Sequence, residues 1–297
     1  MQSAPFGRVL TAMVTPFARD GSLDLDGAQA LATHLVEQGN DGLVISGTTG
    51  ESPTTTDAEK AALLRAVVEA VGARCTVLAG VGTPSTAHSV ELAGAARAAG
   101  ADGLLVVTPY YNKPPQAGIV AHCRAVAEAG RLPVMLYDIP GRTGTAMETA
   151  TLLELAEHEL VVGVKDAKLD LEASSHVLAR TDLAFYSGHD PVTLPLLAIG
   201  AVGVVGTSTH VCARRTAEMV DAFAAGDAER ALEVHRALLP IYSGIFRTQG
   251  TILVKAALSE LGLPAGPVRP PLVEATEAQR RQLRDDLAAA GLQPVAA

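Results

Sequence analysis

The chain has 297 residues, 48% of them hydrophobic, 19% charged and 3% aromatic, with no Trp. That length holds one large core, or a barrel with an appendage, as readily as two domains. A formal net charge of −9 argues against a nucleic-acid or acidic-membrane partner, because no basic patch is there to release counterions. No apolar run is long enough for a transmembrane helix. Three cysteines, Cys75, Cys123 and Cys212, are odd in number and widely spaced. They fit neither a disulfide framework nor a zinc knuckle, so a reduced, cytoplasmic protein is expected.

Taken in order, the chain alternates short apolar runs with segments of helical period. The opening MQSAPFGRVLTAMVTPF has Arg8 beside its apolar stretch and reads as a first strand (9–17), not a signal peptide. Residues 25–36 place Leu25, Ala28, Leu31, Ala32, Leu35 and Val36 on one helical face. The run 42–47 is a strand without polar alternation, as a parallel strand covered on both faces should be. A helix follows through Leu63, Leu64, Val67, Val68 and Val71, then strands at 76–81, 103–109, 133–139 and 161–167. Weaker strands at 184–188 and 203–207 bring the count to eight. A Gly-x-x-Gly junction at 39–42, 100–103 and 200–203 ends a helix and opens a strand each time.

Eight such units predict an α/β fold, a (β/α)8 TIM barrel closing near residue 224. No dinucleotide or P-loop glycine motif opens a helix, so those folds have no support. Residues 227–239, 249–262 and 276–290 are helical in pattern, with Pro-rich 264–271 before the last. The expected organisation is therefore a catalytic barrel, 1–224, and a C-terminal helical extension, 225–297. The extension serves either as a cap or as an oligomerisation element.

Function in such a barrel belongs to the C-terminal ends of the strands. Of five lysines, Lys60, Lys113, Lys165, Lys168 and Lys255, only Lys165 interrupts an apolar strand. Burial lowers an amine's pKa and prepares it to attack a carbonyl carbon. An ion pair with Asp166 would account for a strand-end lysine equally well. Tyr137, one strand away, is placed to relay protons if Thr48 or Thr49 supports its hydroxyl; a core tyrosine is the plainer alternative. The Gly47–Gly50 turn offers backbone N–H groups to a carboxylate. Arg142, between Gly141 and Gly144, suits a bidentate carboxylate clamp. His189 and His210 are expected at the same mouth, but without a third ligand they predict no metal site. No cofactor is expected.

The motifs GTTGES (47–52), VTPYYNKPPQ (107–116), LYDIPGRTG (136–144) and GVKDA (163–167) resemble, in order and spacing, the dihydrodipicolinate synthase family. That family lies within the pyruvate-dependent superfamily that includes N-acetylneuraminate lyase. The resemblance runs from about Val9 into the C-terminal helices, and the Arg of PGRTG leans toward the synthases. It implies a lyase in which Lys165 forms an imine with pyruvate. Tyr137 would relay protons, linked through Thr49 to Tyr111 of a neighbouring subunit. Thr48 and Thr49 would bind the pyruvate carboxylate, and Arg142 the carboxylate of L-aspartate 4-semialdehyde. Val205, through its carbonyl, and Gly188 complete the implied substrate-binding set. The implied product is 4-hydroxy-tetrahydrodipicolinate, on the way to diaminopimelate and lysine, made by a homotetramer.

Two departures lie at the mouth. The family usually reads Ser-Gly-Asp-Asp after strand seven, where Ser187-Gly188-His189-Asp190 stands here. Its usual Ile-Ser after strand eight is Val205-Gly206. These leave open another aldehyde or sugar-acid substrate, and a non-catalytic barrel is a further alternative. Lysine-inhibited members carry histidines after GTTGES, and an Asn and a Glu after strand three. Here Asp57, Lys60, Pro84 and His88 occupy those stretches, and the Lys60 charge predicts weak or absent inhibition by lysine.

Overall fold

The computed structural model describes residues 3–292. The eight apolar runs become Val9–Ala12 (β1), Gly42–Ile45 (β2), Thr76–Gly80 (β3), Gly103–Val107 (β4), Val134–Asp138 (β5), Val161–Asp166 (β6), Ala184–Ser187 (β7) and Gly203–Gly206 (β8). They pair in parallel in chain order, and β8 returns to β1 to close the barrel. The junction glycines Gly39, Gly100 and Gly200 sit at φ +93°, +89° and +112°, the left-handed turn their position before a strand required.

Strand one is shorter than its apolar run. Beyond Ala12 the Val14 N–H turns away to His210 Nε2 at 3.0 Å, and Pro16 has no N–H to give a ladder.

Helices cover the barrel: Leu25–Glu37 (α1), Asp57–Val71 (α2), Thr86–Ala98 (α3), Gln116–Gly130 (α4), Pro140–Thr143 (α5), Thr149–Leu155 (α6), Leu171–Leu178 (α7), Thr193–Ala198 (α8) and Thr209–Ala224 (α9). Local chemistry starts several of them. Asp24 caps α1 through the Gly27 N–H, and Thr56 and Glu59 form a reciprocal capping box on α2. Three helices follow: Ala228–Gly244 (α10), Gly250–Glu260 (α11) and Glu277–Ala289 (α12). Gly250 to Leu258 of α11 are buried without interruption, so this helix is enclosed on all sides.

Side chains fill the barrel. Phe6, Leu10, Val44, Leu78, Leu105, Met135 and Tyr186 form an inner cluster, separate from the larger one between strands and helices. Tyr186 is fully buried, and its hydroxyl accepts the Phe6 N–H at 3.4 Å. The lower barrel is therefore a plugged core, and the space into which the C-terminal strand ends project lies above it.

Candidate active site

Strand alternation decides which side chains look into that space. Val164 packs outward against the helices, so Lys165 points inward, in register with Tyr137 on β5 and Tyr186 on β7. Lys165 is 5% exposed and Tyr137 likewise 5%. Burial pulls the Lys165 ammonium down to about 8, the nearby Asp190 opposing this and Arg142 adding to it. Burial also pushes the Tyr137 phenol up to about 12.

The ion pair with Asp166 does not form. Asp166 accepts the Ser174 hydroxyl and the Lys168 N–H. Lys165 enters no salt bridge among the described residues, so its burial has no structural charge to explain it.

Two cavities meet at this point. One, of about 170 Å³, is lined by Lys165, Tyr137, Thr48, Thr49, Arg142, Gly188 and His189, and by Phe246 and Gln249–Thr251 from the extension. The other, of about 200 Å³, shares Thr48, Tyr137, Ile139 and Arg142, and continues over Leu105 and Val107. Arg142, exposed on the short α5, borders both.

Gly188 acts on the lysine itself. A Cβ there would lie 3.0 Å from Lys165 Cγ and 3.1 Å from Ala167 Cβ, so the glycine leaves room for the lysine stem. Gly206 is explained in the same way: a Cβ would come within 2.6 Å of an Asp190 carboxylate oxygen. That carboxylate is buried and accepts the Thr207 and Ser208 N–H groups at 3.0–3.3 Å, tying the end of β7 to the end of β8.

Several expected residues stand differently from their sequence reading. The Thr49 hydroxyl meets Thr207 Oγ1 at 3.3 Å, because the loop after β8 brings Thr207 against it, and it is not bonded to Tyr137. Tyr111 is 91% exposed at φ +72° and lines neither cavity of its own chain. Val205 is buried among the inner barrel cluster and also lines neither. His210 does not face the mouth. Its Nδ1–H donates to the Thr207 carbonyl at 2.7 Å, its Nε2 accepts from Val14, and burial holds it down to about 4. His189 does reach the cavity, its ring 5.9 Å from that of Phe246.

Thr207, Phe246 and Thr251 were not foreseen. The sequence does carry a signal for Thr251: it is a lone hydroxyl opening the run 252–258, apolar except for Lys255. Among the described residues, no three of His, Cys, Asp or Glu gather to hold a metal, and no helix is long and apolar enough to cross a membrane. The three cysteines are unpaired.

Residues 5–290 match the model of the dihydrodipicolinate synthetase family. The chain belongs to that family. Among its relatives, the 4-hydroxy-tetrahydrodipicolinate synthase of Acidothermus cellulolyticus is 69% identical over 291 residues, covering 98% of this chain and 94% of the relative. 4-Hydroxy-tetrahydrodipicolinate synthase 2 of Streptomyces coelicolor is 62% identical, with 97% of each chain covered. The crystal structure of the enzyme from Cyanidioschyzon merolae with lysine bound superposes with a TM-score of 0.96 at 43% identity, over 98% of this chain and 100% of that one. The match to the dihydrodipicolinate synthetase family extends through α10, α11 and α12, so the extension is family architecture and not an addition peculiar to this chain.

Proposed function

We propose that this chain is a 4-hydroxy-tetrahydrodipicolinate synthase, a Schiff-base lyase that condenses pyruvate with L-aspartate 4-semialdehyde. The supporting observation is Lys165: an unpaired amine buried at the barrel mouth, with its pKa lowered to about 8. Family membership and 69% identity to a synthase of that name supply the substrates.

In this reading the Lys165 amine attacks pyruvate C2, and the carbinolamine loses its oxygen as water to leave an imine. Tyr137, a protonated phenol at neutral pH, donates to the departing hydroxyl and takes a proton back. Loss of a methyl proton gives the enamine, whose terminal carbon attacks the semialdehyde carbonyl. The amino group of the second substrate then attacks C2, closing the ring and releasing Lys165. One water leaves for each pair of substrates joined.

Thr48 and Thr49 are assigned to the pyruvate carboxylate, Arg142 to that of the semialdehyde, and Val205 to the edge of the site. Gly188 serves the substrate by admitting the lysine. Tyr111, pointing away from its own site, is assigned to the site of a neighbouring copy, within a cytoplasmic homotetramer. Residues 1–224 are assigned to the catalytic barrel and 225–297 to the extension; of these, 1–2 and 293–297 lie outside the described residues.

Borohydride reduction in the presence of pyruvate, followed by peptide mapping, tests the chemistry. An adduct is expected on the Lys165 peptide, and its absence would end the proposal. A coupled assay with L-aspartate 4-semialdehyde then tests the acceptor. Trapping without turnover would move the reading to another aldehyde, with His189 on the cavity wall as the selecting group.

A further inference from the structure

The turn Gly47–Ser52 is anchored from below by the C-terminal helices, through groups that the chemistry above does not use. Glu51 holds a left-handed backbone, φ +56°, and turns its carboxylate into the protein, where its side chain is 1% exposed. There Oε1 lies 2.7 Å from Lys255 Nζ on α11, and Oε2 accepts the Arg269 N–H at 2.8 Å. The Lys255 contact is off the hydrogen-bond direction, so charge attraction and not a directed bond satisfies Oε1.

Lys255 is buried as deeply. It donates to the Pro267 carbonyl at 2.7 Å, and its Nζ lies 4.3 Å from the centre of the Phe17 ring. Arg269 closes the outer side by donating to the Gly21 and Thr54 carbonyls and pairing with Glu59.

Two hydroxyls hold the neighbouring backbone. Thr251 Oγ1, also on α11, donates to the Thr49 carbonyl at 3.1 Å, and Thr15 Oγ1 donates to the Gly50 carbonyl at 2.6 Å. Residues 49, 50 and 51 are thus each fixed from outside their own loop. Burying an ion pair is a poor way to gain stability, since apolar residues of similar volume commonly do as well or better. What the pair supplies here is direction: it determines how the turn sits against α11.

We infer that Lys255 and Thr251 are positioning residues for pyruvate binding, α11 setting the orientation of the Thr48–Thr49 turn over Lys165. The extension is then part of the binding machinery and not a cap. This rests on the reading of Lys165 as the imine-forming lysine.

The test compares the full-length wild-type chain with T251V, K255M and L283A. Leu283 is a fully buried residue of α12, and its truncation weakens the extension without touching the turn. The equilibrium yield of borohydride-trapped imine is measured against pyruvate concentration, beside KM, kcat and Tm. T251V should raise the half-saturating pyruvate about tenfold, since small misplacements at a site cost that much or more, with Tm close to wild type. K255M should move it further in the same direction. L283A should lower Tm and keep the wild-type pyruvate dependence.

The inference is overturned if T251V traps pyruvate as wild type does, or if L283A shifts the dependence as much as T251V. Should K255M fail to fold, T251V decides alone. Failure of the wild-type chain to trap would instead sink the reading of Lys165.

Discussion

Lys165 and Tyr137 are opposed in register on adjacent parallel strands, and the lysine Nζ lies 4.4 Å from the centre of the tyrosine ring. The ring face tolerates the ammonium but gives it no counter-charge, so burial dominates and the pKa falls from 10.5 to about 8. At pH 7 about one lysine in ten is then a free base, against fewer than about one in a thousand for an ordinary lysine. Imine formation with pyruvate should rise with pH and level off above about 8. A stopped-flow profile still climbing at pH 10 would contradict this. The linkage to stability has a definite sign. Between about 8 and 10.5 the unfolded chain binds the proton that the folded chain has lost, so stability rises with pH there. Below 8 the buried charge is a standing cost on the order of 3 kcal/mol, and Lys165→Met should melt higher than wild type at pH 7.

Gly188→Ala tests whether the glycine is there for the lysine. Its new methyl group would sit 3.0 Å from Lys165 Cγ, closer than an unstrained contact allows. The stem must shift, and kcat/KM for pyruvate should fall by about a hundredfold. Stability should drop by about 1–3 kcal/mol, the usual cost of overpacking. Gly94→Ala, on α3 with nothing within 4 Å of the added carbon, should leave kinetics unchanged and stabilise slightly. Unaltered trapping in the Gly188 variant would assign that glycine to the turn alone.

How far the site was legible depends on the range of the contact. Strands buried on both faces announce themselves as apolar runs, and a charge inside one, Lys165, stands out against them. Arg142 and the Thr48–Thr49 turn follow because strand ends in a barrel converge. Thr207, Thr251 and Lys255 lie 158, 202 and 204 residues from the turn positions they meet, and no local pattern carries such a pairing. Lys255 interrupts an apolar run as Lys165 does. A helix buried all round has no polar face, however, so its lysine reads as one more helical residue. β1 ends at Ala12 although Met13 and Val14 are as apolar as a strand, because the partner that draws Val14 away, His210, is distant in sequence.

Arg142 separates the two substrates. It is exposed and borders both cavities, so Arg142→Ala should leave pyruvate trapping near wild type. KM for aspartate semialdehyde should rise by one to two orders of magnitude, the effect of losing a charge-assisted contact. An equal loss in trapping would place the guanidinium on pyruvate instead.

Inhibition by lysine is expected to be weak or absent. The stretches where the family's inhibited members carry their ligands meet here as a closed set: His88 Nε2 contacts Asp57 at 2.8 Å, and Lys60 Nζ donates to the Thr55 carbonyl at 2.7 Å. An incoming α-ammonium would meet the Lys60 charge and would have to break the Asp57–His88 pair. Initial rates measured with and without millimolar lysine should coincide; a dose-dependent fall would show that these contacts open.

Tyr111 gives the assembly a kinetic signature. Its ring stands out at 91% exposure on a left-handed backbone, a conformation that costs energy in a non-glycine residue and persists where something else requires it. If a neighbouring copy requires it, Tyr111→Phe and Lys165→Ala should each be nearly inactive alone. Mixed, dissociated and reassembled, they should recover activity. In a hybrid dimer the Tyr111→Phe subunit keeps its lysine and receives an intact tyrosine from its partner, while the other site lacks both. Random two-fold pairing then restores about a quarter of the wild-type sites. The control is the same mixture without dissociation, which should stay inactive. No recovery from reassembled hybrids that sedimentation shows to have formed would return Tyr111 to its own chain's surface.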